Sequence, residues 1–294
     1  MSPEPSEVDE APRCIWDLAA ELGEGPGWVA REKAVYFVDI KGRAIHRWQV
    51  GGKTHSWTTP AEPGFILPRR GGGLICGLRG GLYHFDPTTG HFSLWVPVEA
   101  DKPHHRINDG FVDTSGRVWF GTMNDDARTV GGALYSLEKD RTLRVHGTGY
   151  IVTNGPATSP DARTLYHTDS VVRTLYAFDL SEEGVLSNRR PFIQFPEGEY
   201  PDGMAVDEAG DIWIAVFNGW RIERYSPQAE KLSEIHFPCA NVTKPAFGGD
   251  DLRTLYVTTA GLTPACRAEQ PLAGSLFAID VPTCGLKPTE ADCD

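Results

Sequence analysis

Six segments of one pattern recur along this chain at nearly constant spacing, and that period narrows the folds open to it more than any other feature. They are AVYFVDI around Tyr36, GLICGL around Ile75, RVWFGTM around Trp119, TLYHTDS around Tyr166, DIWIAVF around Trp213 and TLYVTTA around Tyr256. Their anchors lie 39, 44, 47, 47 and 43 residues apart. Aromatic and β-branched residues dominate each run, and Gly, Pro, Asp and Asn bound it, which is the composition of a short strand. A second apolar signature follows each anchor: AIHRW at 44–48, GLYHFD at 81–86, ALYSL at 133–137, TLYAFDL at 174–180, RIERY at 221–225 and SLFAID at 275–280. Each repeat therefore carries at least two strands in fixed order, and its length is that of a four-stranded propeller blade. The sequence predicts an all-β chain folded as a six-bladed β-propeller over residues 14–294. The segment Cys14-Ile15-Trp16 is expected to pair into the last blade and fasten the ring. A pair of β-sandwiches would leave the constant repeat length unexplained.

Composition agrees and limits function. The 32 glycines and 22 prolines in 294 residues imply many turns between short strands, and 40% hydrophobic residues suffice for a large core. A net charge of -12 argues against nucleic acid or an anionic membrane as partner, since both demand a basic surface. Residues 1–13, MSPEPSEVDEAPR, are polar and acidic without the apolar stretch of a secretory signal, so a disordered tail and a cytoplasmic protein are expected. The six cysteines form no C-x-x-C pair and are read as free thiols, with a disulfide among Cys266, Cys284 and Cys293 left open. A closed ring leaves few strand edges to pair, which favours a monomer.

Candidate functional residues emerge from the phase of the repeat. Glu24, Asn108, Asn154, Asp202 and Lys244 each stand eleven or twelve residues before their anchors, and four of them adjoin glycine in LGEGP, INDGF, TNGPA and PDGMA. Taken singly, Asn-Gly and Asp-Gly read as turns. Taken in phase, they begin equivalent strands, and if those strands line the central channel the polar groups converge at one end of the axis. The second repeat breaks the series with apolar Gly64-Phe65-Ile66. Glu24, Asn154 and Asp202 supply hard oxygen donors suited to one divalent cation with positions left for water and substrate. Calcium, magnesium, manganese, zinc and iron(II) all accept such a set. No convergent His or Cys cluster suggests a structural zinc, and no G-x-S-x-G, H-E-x-x-H or phosphate-binding glycine loop is present. His104 and His105 precede Arg106 in a polar loop and read as solvated, while His84 and His167 fall within strands and read as packing residues. Trp220, beside Asn218-Gly219, is the tryptophan placed nearest the opening.

The strings LGEGPGW, RINDGFVDTSGRVWFGTM, TNGPATSPDARTLYHTDS and YPDGMAVDEAGDIWIAVFNG resemble, in order and from about Cys14 to Ile279, the SMP-30/gluconolactonase/LRE family of sugar lactonases. NVTKPAFGGDDLRTLYVTTAG at 241–261 is most similar to its bacterial pentonolactonases of the xylonolactonase kind. The resemblance implies a six-bladed propeller with one divalent metal at the axis, held by Glu24, Asn154 and Asp202, and hydrolysis of an aldonolactone as small-molecule substrate. It implies Arg106 and Asn108 as substrate contacts. Where many relatives carry a substrate-touching glutamate after GTM, this chain has Asn124, Asp125 and Asp126, and Asp126 is taken as the counterpart.

A lactone is an ester, so its hydrolysis needs an attacking water, stabilisation of the oxyanion and a proton for the departing ring oxygen. A divalent cation serves the first two, and Asp202 is the expected base, although a carboxylate held as a ligand is a weaker one. Two alternatives stand beside this expectation: a non-enzymatic calcium-binding or scaffold propeller, and a promiscuous metal-dependent esterase or phosphotriesterase.

Overall fold

Each repeat folds into a four-stranded antiparallel sheet, and six such sheets are arranged about one axis in a β-propeller; the computed structural model describes residues 11–292. Blade 1 runs Gly23–Val29, Ala34–Asp39, Ala44–Gln49 and Lys53–Thr58, and the other blades repeat this order from the axis outward. All six anchors lie in second strands. The innermost strands are Gly23–Val29, Pro63–Pro68, His105–Val112, Thr153–Thr158, Tyr200–Val206 and Val242–Gly248, and each packs against the next so that the series closes on itself.

The sixth blade is completed from the other end of the chain. Arg13–Trp16 pairs antiparallel with Leu276–Asp280, Cys14 facing Phe277, as the sequence led us to expect. Arg13 thus belongs to a strand rather than to the tail; of the rest of the expected tail, residues 11 and 12 lie in no strand or helix and residues 1–10 lie outside the described residues. Closure in this way gives the outer edge of blade 6 a partner that only the N-terminal segment can supply. At the far end of the axis, where the inner strands finish, residues 284–292 cross from blade to blade. Cys284 O accepts from Glu208 N, and Ala291 N and Asp292 N donate to Pro68 O and Gly116 O.

Side chains of adjacent blades interlock to make the core. Trp213, Phe247 and Ile279 fill the space between blades 5 and 6, while Phe65, Phe120 and Tyr135 do so between blades 2 and 3. The strings VDTSGRVW and VDEAGDIW build the same turn twice: Asp113 and Asp207 each cap backbone N–H groups through Oδ1 and accept the indole N–H of Trp119 or Trp213 through Oδ2, at 2.9 and 3.0 Å. A buried indole so paired leaves no orphaned donor. Cys14, Cys76, Cys239, Cys266 and Cys284 are free thiols, and Cys293 lies outside the described residues.

Several histidines pack on aromatic rings inside the sheets, and burial acts most clearly on His46 against Trp16 and Phe37, His146 against Trp119, and His167 against Tyr150. Burial lowers their pKa values, to about 4 for His46 and His146 and about 3 for His167. A histidine depressed below its unfolded value of about 6.5 stabilises the fold above that pH and loses its contribution as pH falls, because the unfolded chain takes up a proton that the native state refuses. Each of these histidines should therefore contribute on the order of 1 kcal/mol of lost stability to the slope measured in urea between pH 7 and pH 5, against carboxylates of raised pKa, which slope the other way. His167→Phe should flatten that slope, since neither ring nitrogen of His167 has a hydrogen-bond partner to lose. An unchanged slope would contradict this account.

Candidate functional site

The polar residues that share a phase sit at the start of the inner strands, at the end of the axis opposite residues 284–292. Strand alternation alone would turn half of them away. In blades 1, 3, 4 and 5 the pairing register shifts at or immediately after the residue in question, between Glu24 and Gly27, Ile107 and Gly110, Asn154 and Ala157, and Pro201 and Met204. A β-bulge re-aims a side chain and tightens the local twist, and here it recurs at equivalent places round the ring. The glycines that follow are not turn residues. A Cβ on Gly203 would lie 2.4 Å from Lys244 Cγ, and one on Gly155, at φ +34°, would lie 2.9 Å from Met204 N. Neighbouring inner strands approach so closely that only glycine fits.

Above these strands opens a cavity of about 460 Å³, whose floor includes Glu24, Arg106, Asn108, Asn154 and Asp202. Glu24 and Asp202 are 5% and 6% exposed and adjacent, and no cation in the protein pairs directly with either among the described residues. Burial and the nearby Asp109 carboxylate raise Glu24 to about 8; burial and the Glu24 charge raise Asp202 well above the carboxylate range. Glu24 Oε2 accepts from Gly25 N at 2.8 Å, whereas Asp202 Oδ1 is buried with no partner. An unpaired carboxylate oxygen beside a second buried carboxylate is costly, and a bound cation would relieve both the desolvation and the repulsion.

Asn154 and Asn108 form the other half of the floor. Asn108 Nδ2 donates to Asn154 Oδ1 at 2.7 Å and to Thr153 O at 2.6 Å; Asn154 Nδ2 donates to Ser170 Oγ at 2.8 Å, and that hydroxyl donates on to Pro201 O. The chain of bonds fixes which end of each amide is oxygen. Among the described residues no group of three His, Cys, Asp or Glu side chains is placed to hold a metal. The axial set is instead two carboxylates and an amide oxygen, a donor combination suited to a hard cation.

Arg106 is buried rather than a surface ion-pair residue. Its Nε donates to Asp125 Oδ1 at 2.7 Å and its Nη1 to Ile107 O and Asn108 Oδ1, leaving Nη2 without a hydrogen-bond partner among the described residues. Asp125 also receives Lys41 and Arg79; burial works to raise its pKa, but the Lys41 hydrogen bond and the Arg106 charge hold it down to about 2. Asp126, expected at the site, is exposed and turned into its own loop, where it accepts from Arg128 N, Thr129 N and Thr129 Oγ1. It does not line the cavity. The reason is local: Asp126 caps the turn, while Asp125, one residue earlier, pairs with Arg106 without itself lining the cavity.

Lys244 shares the phase but not the cavity. Its ammonium donates to Asp109 and to Gly110 O, and the Asp109 carboxylate also accepts from Gly110 N and Gly155 N, at 2.7 and 2.8 Å. Asp109, overlooked in the sequence beside Asn108, thereby ties blades 3, 4 and 6 together at the axis. His105 pairs with Glu99 at 2.9 Å, and neither it, His104 nor Trp220 lines the cavity. Ser170 carried no signal in the sequence; it comes from the loop after the second strand of blade 4.

Comparison with known proteins bears on this geometry. Residues 22–261 match the SMP-30/Gluconolactonase/LRE-like region. The chain is 36% identical to the 6-deoxy-6-sulfogluconolactonase of Pseudomonas putida over 94% of this chain and 98% of that one. It is 35% identical to a pentonolactonase of Haloferax volcanii over 95% and 97%. The crystal structure of a calcium-binding protein, regucalcin, from Agrobacterium tumefaciens superposes with a TM-score of 0.91 at 26% identity, covering 96% of this chain and 97% of that one. A match spanning every blade, with the polar ring at the axis inside it, shows that this chain belongs to the SMP-30/gluconolactonase/LRE-like family.

Proposed function

We propose that the protein hydrolyses an aldonolactone, a pentono- or hexonolactone such as xylonolactone, to the aldonic acid, and that it does so with one divalent cation held by Glu24, Asn154 and Asp202. The observation that carries this reading is the unpartnered Asp202 Oδ1 beside buried Glu24 at the base of an open cavity. Two relatives that cover nearly the whole chain are a sulfogluconolactonase and a pentonolactonase, which supports lactones as the substrate class.

When bound, the cation would polarise the lactone carbonyl and make water a better nucleophile. The protein's own groups do the rest. Asp202 takes the proton of the attacking water at its carboxylate and returns it to the ring oxygen as the acyl C–O bond breaks, so that acid and alcohol appear on one open chain. Arg106 Nη2 is the guanidinium donor for a sugar oxygen, while Nη1 orients Asn108, whose amide in turn holds Asn154 Oδ1 in place. Asp125 fixes the Arg106 plane from the other side.

The test is acid release from xylono-, arabinono-, galactono- and gluconolactone by metal-stripped protein to which calcium, magnesium, manganese, zinc or iron(II) is returned. Activity should vanish on chelation and return at one ion per chain. Absence of turnover on every lactone with every metal would overturn the reading. An oxygen-only donor set also suits calcium storage without chemistry, and the same panel separates the two: calcium bound tightly with no turnover would favour a binding protein.

A further inference from the structure

The cavity wall above the floor is largely apolar, with Leu22, Met123, Val152, Phe217 and Leu262 among its residues. Its polar groups are mostly committed to one another, since the Asn108 and Asn154 amides and the Ser170 hydroxyl form one chain. The cations near it are likewise engaged: Lys41, Arg79 and Arg106 all converge on Asp125. Arg128 differs. It lines the same cavity from the loop after the second strand of blade 3, it is exposed, and its guanidinium has no hydrogen bond or ion pair among the described residues. Asp126 acts on it only through the backbone N–H and at longer range.

The loop that carries Arg128 is held in one shape. Asp125 N donates to His104 O at 2.8 Å, Ala127 N donates to Asn124 O at 3.0 Å with Ala127 at φ +54°, and Asp126 caps the two residues that follow. An unpaired guanidinium on a braced loop, in a protein of net charge -12, is a prepared receptor for an anion at the rim. The floor, which would engage the lactone ester, is the buried part of the same cavity, whereas Arg128 is exposed to solvent.

We propose that Arg128 makes the site selective for lactones that carry an anionic group, a carboxylate, sulfonate or phosphate, at the end of the molecule remote from the ring ester. This rests on the lactonase reading and narrows its substrate class. A neutral sugar terminus would find an apolar wall and a charged donor without a counter-ion, whereas an anion would pair with the guanidinium in two parallel hydrogen bonds.

D-Glucono-1,4-lactone and D-glucaro-1,4-lactone differ only in a hydroxymethyl or carboxylate at the far carbon, and their ratio of kcat/KM in metal-loaded protein reads the effect. The ratio should favour the carboxylate and fall roughly tenfold in Arg128→Gln, with partial recovery in Arg128→Lys. The 6-phosphate and 6-sulfonate lactones, run in parallel, tell which anion fits. Calorimetric binding of D-glucarate against D-gluconate gives the same comparison without turnover. Equal ratios and equal binding in wild type and Arg128→Gln would overturn the proposal. Hydrolysis with equal ratios would leave the lactonase reading standing alone, and an Arg128-dependent preference in binding without any hydrolysis would do the reverse.

Discussion

Asp202→Ala is expected to lower lactone hydrolysis by roughly a thousandfold or more while leaving the six blades folded. The side chain is asked for two things: an oxygen for the cation and an acceptor for the proton of water. Its removal takes away neither a core contact nor a capped turn. Asp202 Oδ1 has no partner in the protein, and its burial beside Glu24 already works against the charged form. Melting without added metal should therefore change by no more than about 1 kcal/mol, and a small rise would be consistent with relief of a buried carboxylate. If Asp202 is a ligand, a rise in melting temperature on adding the divalent cation is expected for the wild type and should be lost in the variant, because a ligand stabilises only through its affinity for the native state. Asp202→Asn, which keeps the shape, should recover folding and metal response in part and activity hardly at all. Full activity in Asp202→Ala would refute both the ligand and the base assignment.

Asp109→Ala should have the largest effect on stability, about 3–5 kcal/mol in urea denaturation. The carboxylate accepts from the Lys244 ammonium and from two backbone N–H groups on different blades, and all of these are buried. Truncation leaves a buried cation without its counter-ion and two donors without acceptors. Lys244→Met in the same background should recover much of the loss, since it removes the orphaned charge and keeps the stem that packs over Gly203. If Asp109→Ala costs no more than an ordinary surface change, the pair does not hold the ring as its geometry indicates. Because Gly155 N hangs on Asp109 one residue from Asn154, the single variant should also weaken metal binding, and the double variant should not restore it.

Much of the fold was legible because a propeller writes its period into the chain. Tyr36, Trp119, Trp213 and their counterparts each face a neighbouring blade, so burial demands the same residue class at the same place every repeat. The phase of Glu24, Asn108, Asn154, Asp202 and Lys244 was legible for the same reason. What each does was not. Lys244 shares the offset but donates to Asp109 on another blade. Asp109 was hidden because a bulge breaks strand alternation between Ile107 and Gly110 and lets two successive side chains point toward the axis. Asp125 and Asp126 are equivalent on paper; only the capping of Thr129 by Asp126 separates them.

The sequence by itself determined the number of blades, the closing role of Cys14-Ile15-Trp16 and the positions from which polar groups could reach the axis, because each follows from periodic burial and strand pairing between repeats. Tertiary structure alone decided which of those groups share a cavity. It set Glu24 against Asp202, withdrew Lys244 to Asp109, paired Asp125 with Arg106 and left Arg128 at the cavity without a partner among the described residues. Such pairings join residues up to 178 positions apart, as Glu24 and Asp202 are, across strands that are not hydrogen-bonded to one another. Local pattern constrains the face and height of a side chain on its own blade, but its neighbour at the axis is set only when the ring closes.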